Sequence, residues 1–127
     1  MLLEIDSRSE EPIYRQISDQ IILGIARGDL QVNEQLPSVR QLADELGVNM
    51  MTIAKAYTFL KEAGYLITDR RKGTTVRLPE NYREETQQDY QNQLAVLLAQ
   101  AVLHHRSEKQ ILADVQYYLK EFTEGRD

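Results

Sequence analysis

The chain has 127 residues, no Cys and no Trp, 42% hydrophobic and 28% charged residues, and a formal net charge of -5. At roughly 100–200 residues per domain, this length excludes barrels, doubly wound sheets and two-domain catalytic clefts, and fits one small domain with an appendage. Without cysteine there are no disulfides, thiolate zinc sites, iron–sulfur clusters or cysteine nucleophiles, so stability must come from packing.

Met1-Leu2-Leu3-Glu4-Ile5-Asp6 turns acidic too soon to be a secretory hydrophobic region. The apolar run Leu94 to Ala99 is far shorter than the roughly 20 residues that span a bilayer, so a cytoplasmic protein without a membrane partner is expected. From Pro12 to Arg27, Tyr14, Ile17, Ile21 and Ile25 recur at helical spacing, with Pro12 suited to a first turn and Gly28 to a stop. Gly28 to Pro37 mixes turn residues with isolated apolar ones and reads as a connecting loop. Ser38 and Gln41 form a capping box that starts a short second helix, broken at Gly47-Val48. Asn49 caps a third helix from about Met50 to Ala63, with Ile53, Ala56, Tyr57, Leu60 and Ala63 as its apolar face and Gly64 as its end. Tyr65 to Thr68 and Thr74 to Leu78 are β-prone runs around a charged, glycine-containing turn, which predicts a hairpin.

Beyond Pro79 a long helix is expected from Tyr82 to about His105, with Tyr90, Leu94, Leu97, Leu98 and Ala101 on one face. A second capping box, Ser107 with Gln110, opens a last helix whose stripe holds Ile111, Val115, Tyr118 and Phe122, flanked by Leu112 and Leu119, up to Gly125. Stripes this wide exceed what a two-helix hairpin can cover. Tyr90, Leu94, Leu97, Leu98, Ala101, Ile111, Val115, Tyr118, Leu119 and Phe122 are therefore expected to form a homodimer interface. The fold class is mainly α with a small β-hairpin: a winged helix-turn-helix over residues 1–78 and a two-helix dimerisation element over residues 79–127. His104 and His105 are adjacent, point apart on a helix and lack further ligands nearby, so they mark the bend between the tail helices and no metal is expected.

The overall acidity argues against nucleic acid until it is divided by segment. Residues 1–37 carry three basic and seven acidic side chains, residues 38–78 seven and four, and residues 79–127 five and nine. The middle of the chain is thus a basic island of net +3, and it coincides with the three-helix-plus-hairpin pattern whose third helix suits a major groove. Asn49, Met50, Met51 and Thr52 at the start of that helix are placed to meet base edges, and Lys55 one turn on to reach a phosphate. Arg40 lies near the backbone that the second helix would cross. Arg70-Arg71-Lys72-Gly73 puts three cations and a residue without a side chain at the hairpin tip, as a wing along the minor groove requires.

Leu36-Pro37-Ser38-Val39-Arg40-Gln41-Leu42-Ala43, Leu46-Gly47-Val48-Asn49, Thr52-Ile53-Ala54-Lys55-Ala56-Tyr57, Leu60, Gly64-Tyr65-Leu66 and Gly73-Thr74-Thr75-Val76 resemble the GntR family signature in order and spacing. The match covers about residues 4–78. It implies a dimeric bacterial transcription factor on a palindromic double-stranded DNA operator, most simply a repressor. Its implied contacts are Ser38, Arg40, the start of the third helix and the wing tip. GntR proteins usually carry a large effector domain, which the 49 residues after Leu78 are too few to hold, and the two-helix tail resembles the YtrA subfamily. Met50-Met51 stands where that motif commonly has Pro-Asn, and Arg71 where the wing often begins with glycine, so no base preference is carried over.

Two rival readings accompany this one: a winged-helix protein-interaction module, and a ligand-gated sensor with an unknown small-molecule effector. No cofactor is expected. There is no Gly-rich phosphate loop, no Ser/His/Asp set and no paired carboxylate in a predicted cleft, so an enzyme is not expected.

Overall fold

A computed structural model describes residues 3–80 and 84–125. Five helices and one two-stranded antiparallel sheet follow in the order α1 (Ile13–Arg27), α2 (Val39–Leu46), α3 (Met50–Ala63), β1 (Leu66–Asp69), β2 (Gly73–Val76), α4 (Glu84–Leu103) and α5 (Glu108–Gly125). The chain divides into two compact units that meet in sequence between Pro79 and Glu80.

The first unit is built on α1, α2, α3 and the hairpin. Pro12 is the N-cap of α1 rather than its first helical residue, and its carbonyl accepts from the N–H groups of Arg15 and Gln16. Gly28 ends the helix with φ 86°, a left-handed conformation that costs glycine little. At Ser38 the hydroxyl accepts from Gln41 N at 3.1 Å while the Gln41 side chain accepts from Ser38 N at 2.9 Å, so the capping box forms as the sequence predicts. Gly47 closes α2 with φ 67°, and Val48 N donates back to the Ala43 carbonyl. Three residues, Gly47-Val48-Asn49, then turn the chain into α3, where Asn49 Oδ1 accepts from Met51 N at 2.7 Å.

Ile17, Ile21 and Ile25 of α1 meet Leu42 and Ala43 of α2 and Ile53, Ala56, Tyr57 and Leu60 of α3, and Leu30, Leu36, Leu66 and Val76 complete this core. Fully burying one Leu, Ile or Val side chain stabilises a fold by about 1.5–3 kcal/mol, and this cluster holds the three helices at fixed angles. Ala63, expected on the buried face of α3, is exposed, because the helix ends there and Gly64 turns the chain away.

The stretch read as a loop does more than connect. Asn33 N donates to the Val76 carbonyl, Val76 N to Glu34 and Leu36 N to Thr74, so residues 33–36 run antiparallel beside β2 and pair Gln35 with Thr75. The hairpin register is Leu66↔Val76, Ile67↔Thr75, Thr68↔Thr74 and Asp69↔Gly73.

The second unit holds α4 and α5. The start expected for the long helix at Tyr82 lies outside the described residues. His105, with φ 66°, and an Arg106 N–H bond to the Ala101 carbonyl end α4, and His104 Nδ1 lies 2.7 Å from the Gln100 carbonyl. The bend thus falls at the histidine pair. Ser107 and Gln110 form the second capping box. Arg106 reaches across the turn to Asp114 with two hydrogen bonds of 2.5 Å, which hold the Asp114 carboxyl below its ordinary value. No residue of 84–124 is buried. No helix of the described residues is long and apolar enough to cross a membrane.

Candidate nucleic-acid interface

The first turn of α3 presents the residues predicted to meet base edges. Met51 is 79% and Met50 44% exposed, Asn49 is exposed and Thr52 half-buried. The neighbouring core positions, Ile53, Ala56 and Tyr57, face inward, so the two methionines stand on the solvent side of the helix. The Asn49 carboxamide oxygen is committed to the helix cap, which leaves its NH2 group as the part able to donate to a base. The methionines offer apolar contact, of the kind a thymine methyl accepts.

Arg40 is exposed in the first turn of α2, two residues after the capping Ser38. That turn is anchored from beneath: the buried Tyr57 of α3 donates its hydroxyl to the Pro37 carbonyl at 2.7 Å. Burial, and secondarily the Glu45 carboxylate, push this hydroxyl up to about 12. Residues 33–36 continue directly into Pro37 and Ser38, so the strand that pairs with β2 also delivers the start of α2.

The wing tip is a three-residue loop, Arg70-Arg71-Lys72, closed by the Asp69↔Gly73 pair. Asp69 Oδ1 accepts from Arg71 N at 2.7 Å and Gly73 adopts φ 74°. A side chain at Gly73 would be strained and would sit 3.4 Å from Gln35 Nε2. All three cationic side chains are exposed.

Lys55 is exposed one turn beyond Met51, and its Nζ lies over the Tyr14 ring of α1, 4.1 Å from the centroid. Reading the sequence alone missed Tyr14, the Tyr57–Pro37 bond and the pairing of residues 33–36. Asp69 two residues before Arg71 was a legible turn signal, since Asp side chains bond backbone groups two residues on. Among the described residues no group of three or more His, Asp or Glu is arranged to hold a metal.

In the tail, Tyr90, Leu94, Leu97, Val115, Tyr118 and Leu119 are exposed and Leu98, Ala101, Ile111 and Phe122 half-buried. The Tyr117 and Tyr118 rings meet edge to face at 5.2 Å, and Tyr118 stacks toward Phe122 at 6.4 Å.

A helix, a three-residue turn, a second helix capped at its exposed start and a cationic hairpin define a winged helix-turn-helix. The model of bacterial regulatory proteins of the gntR family matches residues 13–76, half of the chain. The chain belongs to the GntR family. It is 39% identical over 75 residues to the HTH-type transcriptional repressor YtrA of Bacillus subtilis, covering 59% of this chain and 58% of that one. Across three curated relatives the aligned stretch spans only 57–61% of their length. Among solved structures, YtrA from Sulfolobus acidocaldarius, a GntR-family transcription factor, is 37% identical with TM-score 0.64, covering 81% of this chain and 99% of that one. These likenesses make the chain a YtrA-like member of the family. A transcriptional antiterminator from Listeria monocytogenes superposes with TM-score 0.85 at 26% identity, covering 96% of this chain and 92% of that one. The DNA-binding domain of AraR in complex with operator ORX1 superposes with TM-score 0.54 at 27% identity, covering 61% of this chain and 99% of that one.

Proposed function

We propose that the chain is a transcriptional repressor, not an enzyme, that acts in the cytoplasm as a homodimer on a palindromic DNA operator. The observation that carries this reading is that Arg40, Asn49, Met50, Met51, Lys55 and the wing-tip cations Arg70, Arg71 and Lys72 are all exposed on one winged helix-turn-helix. The likeness to the AraR domain solved on its operator and to the transcriptional repressor YtrA supports it. In this reading the paired α3 helices enter two major grooves about one helical turn, roughly 34 Å, apart, and the wings follow the adjacent minor grooves. Arg40, Lys55 and the wing cations contact phosphates, while Met50, Met51 and the Asn49 amide sample bases. The tail stripes of α4 and α5 pair the two copies, supported by the exposure of so many apolar side chains in that unit.

Selection of random duplex DNA by the purified protein at moderate salt tests the reading, and an enriched inverted repeat is the expected result. On that duplex, Arg71→Ala should weaken binding across sequences and lower the salt slope by about 1, and Arg40→Ala should weaken the specific complex. Binding that ignores salt, or no enrichment by folded dimeric protein, would refute it in favour of a protein-interaction module or an effector-dependent state.

A further inference from the structure

The contact between Tyr14 and Lys55 joins α1, which carries none of the DNA contacts proposed above, to the face of α3 that carries several. Tyr14 is half-buried and packs against the core, in the first turn of α1. The buried Ser18, one turn on, donates to the Tyr14 carbonyl at 2.9 Å, so the backbone that bears the ring is fixed in the packed part of the unit. Lys55 stands four residues after Met51, on the same stripe of α3, and its side chain is exposed. A lysine so placed ordinarily samples many rotamers. Here its ammonium lies 4.1 Å from the ring centroid, inside the range in which the ring's negative face attracts a cation. One side of the ammonium faces the ring, and its remaining N–H donors face solvent, where a phosphate oxygen would be met.

We infer that Tyr14 is a positioning residue for DNA binding: its ring holds the Lys55 ammonium in the place from which it meets a backbone phosphate. The inference rests on the DNA-binding reading above. Ordering a flexible side chain at an interface costs binding a factor of about two to ten, and the ring has already met that cost before DNA arrives.

The test is a double-mutant cycle measured by fluorescence anisotropy on the inverted-repeat duplex recovered by selection, with thermal unfolding run on each variant. Tyr14→Leu should weaken binding about two- to tenfold, and Tyr14→Phe, which keeps the ring, should bind as the parent does. Lys55→Ala should weaken binding and lower the salt slope by about 1, and adding Tyr14→Leu to it should cost nothing more. An equal loss from Tyr14→Leu with and without Lys55, or a Phe variant as weak as Leu, would overturn the inference. A second measurement needs no variant to fold: in the parent protein the Lys55 ε-methylene protons should be shifted upfield by the ring, both free and on DNA. Their return to ordinary positions on DNA would show that the ring releases the lysine, and would overturn the inference as well. Parent protein that binds no duplex at any salt removes the DNA reading and this inference with it, a result distinct from every variant outcome.

Discussion

Tyr57→Phe probes the joint that ties α3 to the start of α2. The change deletes one hydroxyl from a side chain that is 1% exposed and removes the 2.7 Å bond to the Pro37 carbonyl, while the ring keeps its packing. A neutral hydrogen bond contributes about 0.5–1.5 kcal/mol, and a buried acceptor left without its donor costs about 1–3 kcal/mol. Pro37 is half-buried, so the expected loss lies between these limits, at about 1–2 kcal/mol. For a unit of this size that lowers the melting temperature by about 4–8 °C per kcal/mol. The same hydroxyl has a pH signature, set by its burial and secondarily by the Glu45 carboxylate. The hydroxyl is raised from 10.0 to about 12, so the fold favours the protonated form; its stabilisation is complete below pH 10 and lost as pH rises through 12. Discounted for screening by solvent, that loss is about 1–2 kcal/mol. Urea unfolding followed by circular dichroism, at one protein concentration and between pH 8 and 11, measures both effects. The parent should lose stability between pH 10 and 11 by an amount that the Phe variant lacks. A variant with the parent's midpoint at pH 8 and the parent's slope to pH 11 would refute the reasoning.

Ser38→Ala removes the hydroxyl half of the first capping box and should lower stability by about 1 kcal/mol, read as a lower urea midpoint with an unchanged slope. Truncation after Leu78 should give a monomer in sedimentation velocity that binds the selected duplex far more weakly than the full chain; a truncated dimer would move the interface out of the tail.

What the sequence made legible was whatever local chemistry decides. Ser38 with Gln41 and Ser107 with Gln110 announce their helices because the cap is satisfied within three residues, and both boxes form. Gly28, Gly47 and Gly64 mark helix ends because each takes a positive φ there. What escaped was set by partners distant in sequence. Residues 33–36 show no alternation and precede a proline, yet they pair with β2 some forty residues on, because β2 offers an open edge beside them. Tyr57 reads only as a core aromatic until its hydroxyl finds Pro37, twenty residues away. Lys55 read as a surface cation able to reach a phosphate, and only the packing of α1 on α3 places Tyr14 beneath it.

The net acidity of the chain no longer argues against a nucleic-acid face once the charges are followed onto the helices. Around α1, at about 100° per residue, Gln16 lies roughly 160° and Gln20 roughly 120° from Tyr14, the residue under Lys55. Those two glutamines hold the acidic N-terminal segment: Glu4 N donates to Gln20 and Asp6 N to Gln16, and the Gln16 amide returns a bond to the Asp6 carbonyl. Asp19 completes this acidic flank, its carboxyl raised by desolvation against the opposing pull of Arg15. Glu4, Asp6 and Asp19, three of the seven acidic residues of the first segment, thus lie on the side of α1 turned away from Tyr14 and Lys55. At physiological salt, charges separated by more than about 8 Å are largely screened, so a phosphate at the wing or at Lys55 responds to the local cations and not to the total of -5. If the chain binds DNA as proposed, this flank opposes loose association with arbitrary duplex only where screening is weak, at low salt. In that reading, binding at higher salt rests on the contacts proposed for α2, α3 and the wing, which is what discrimination between sequences requires.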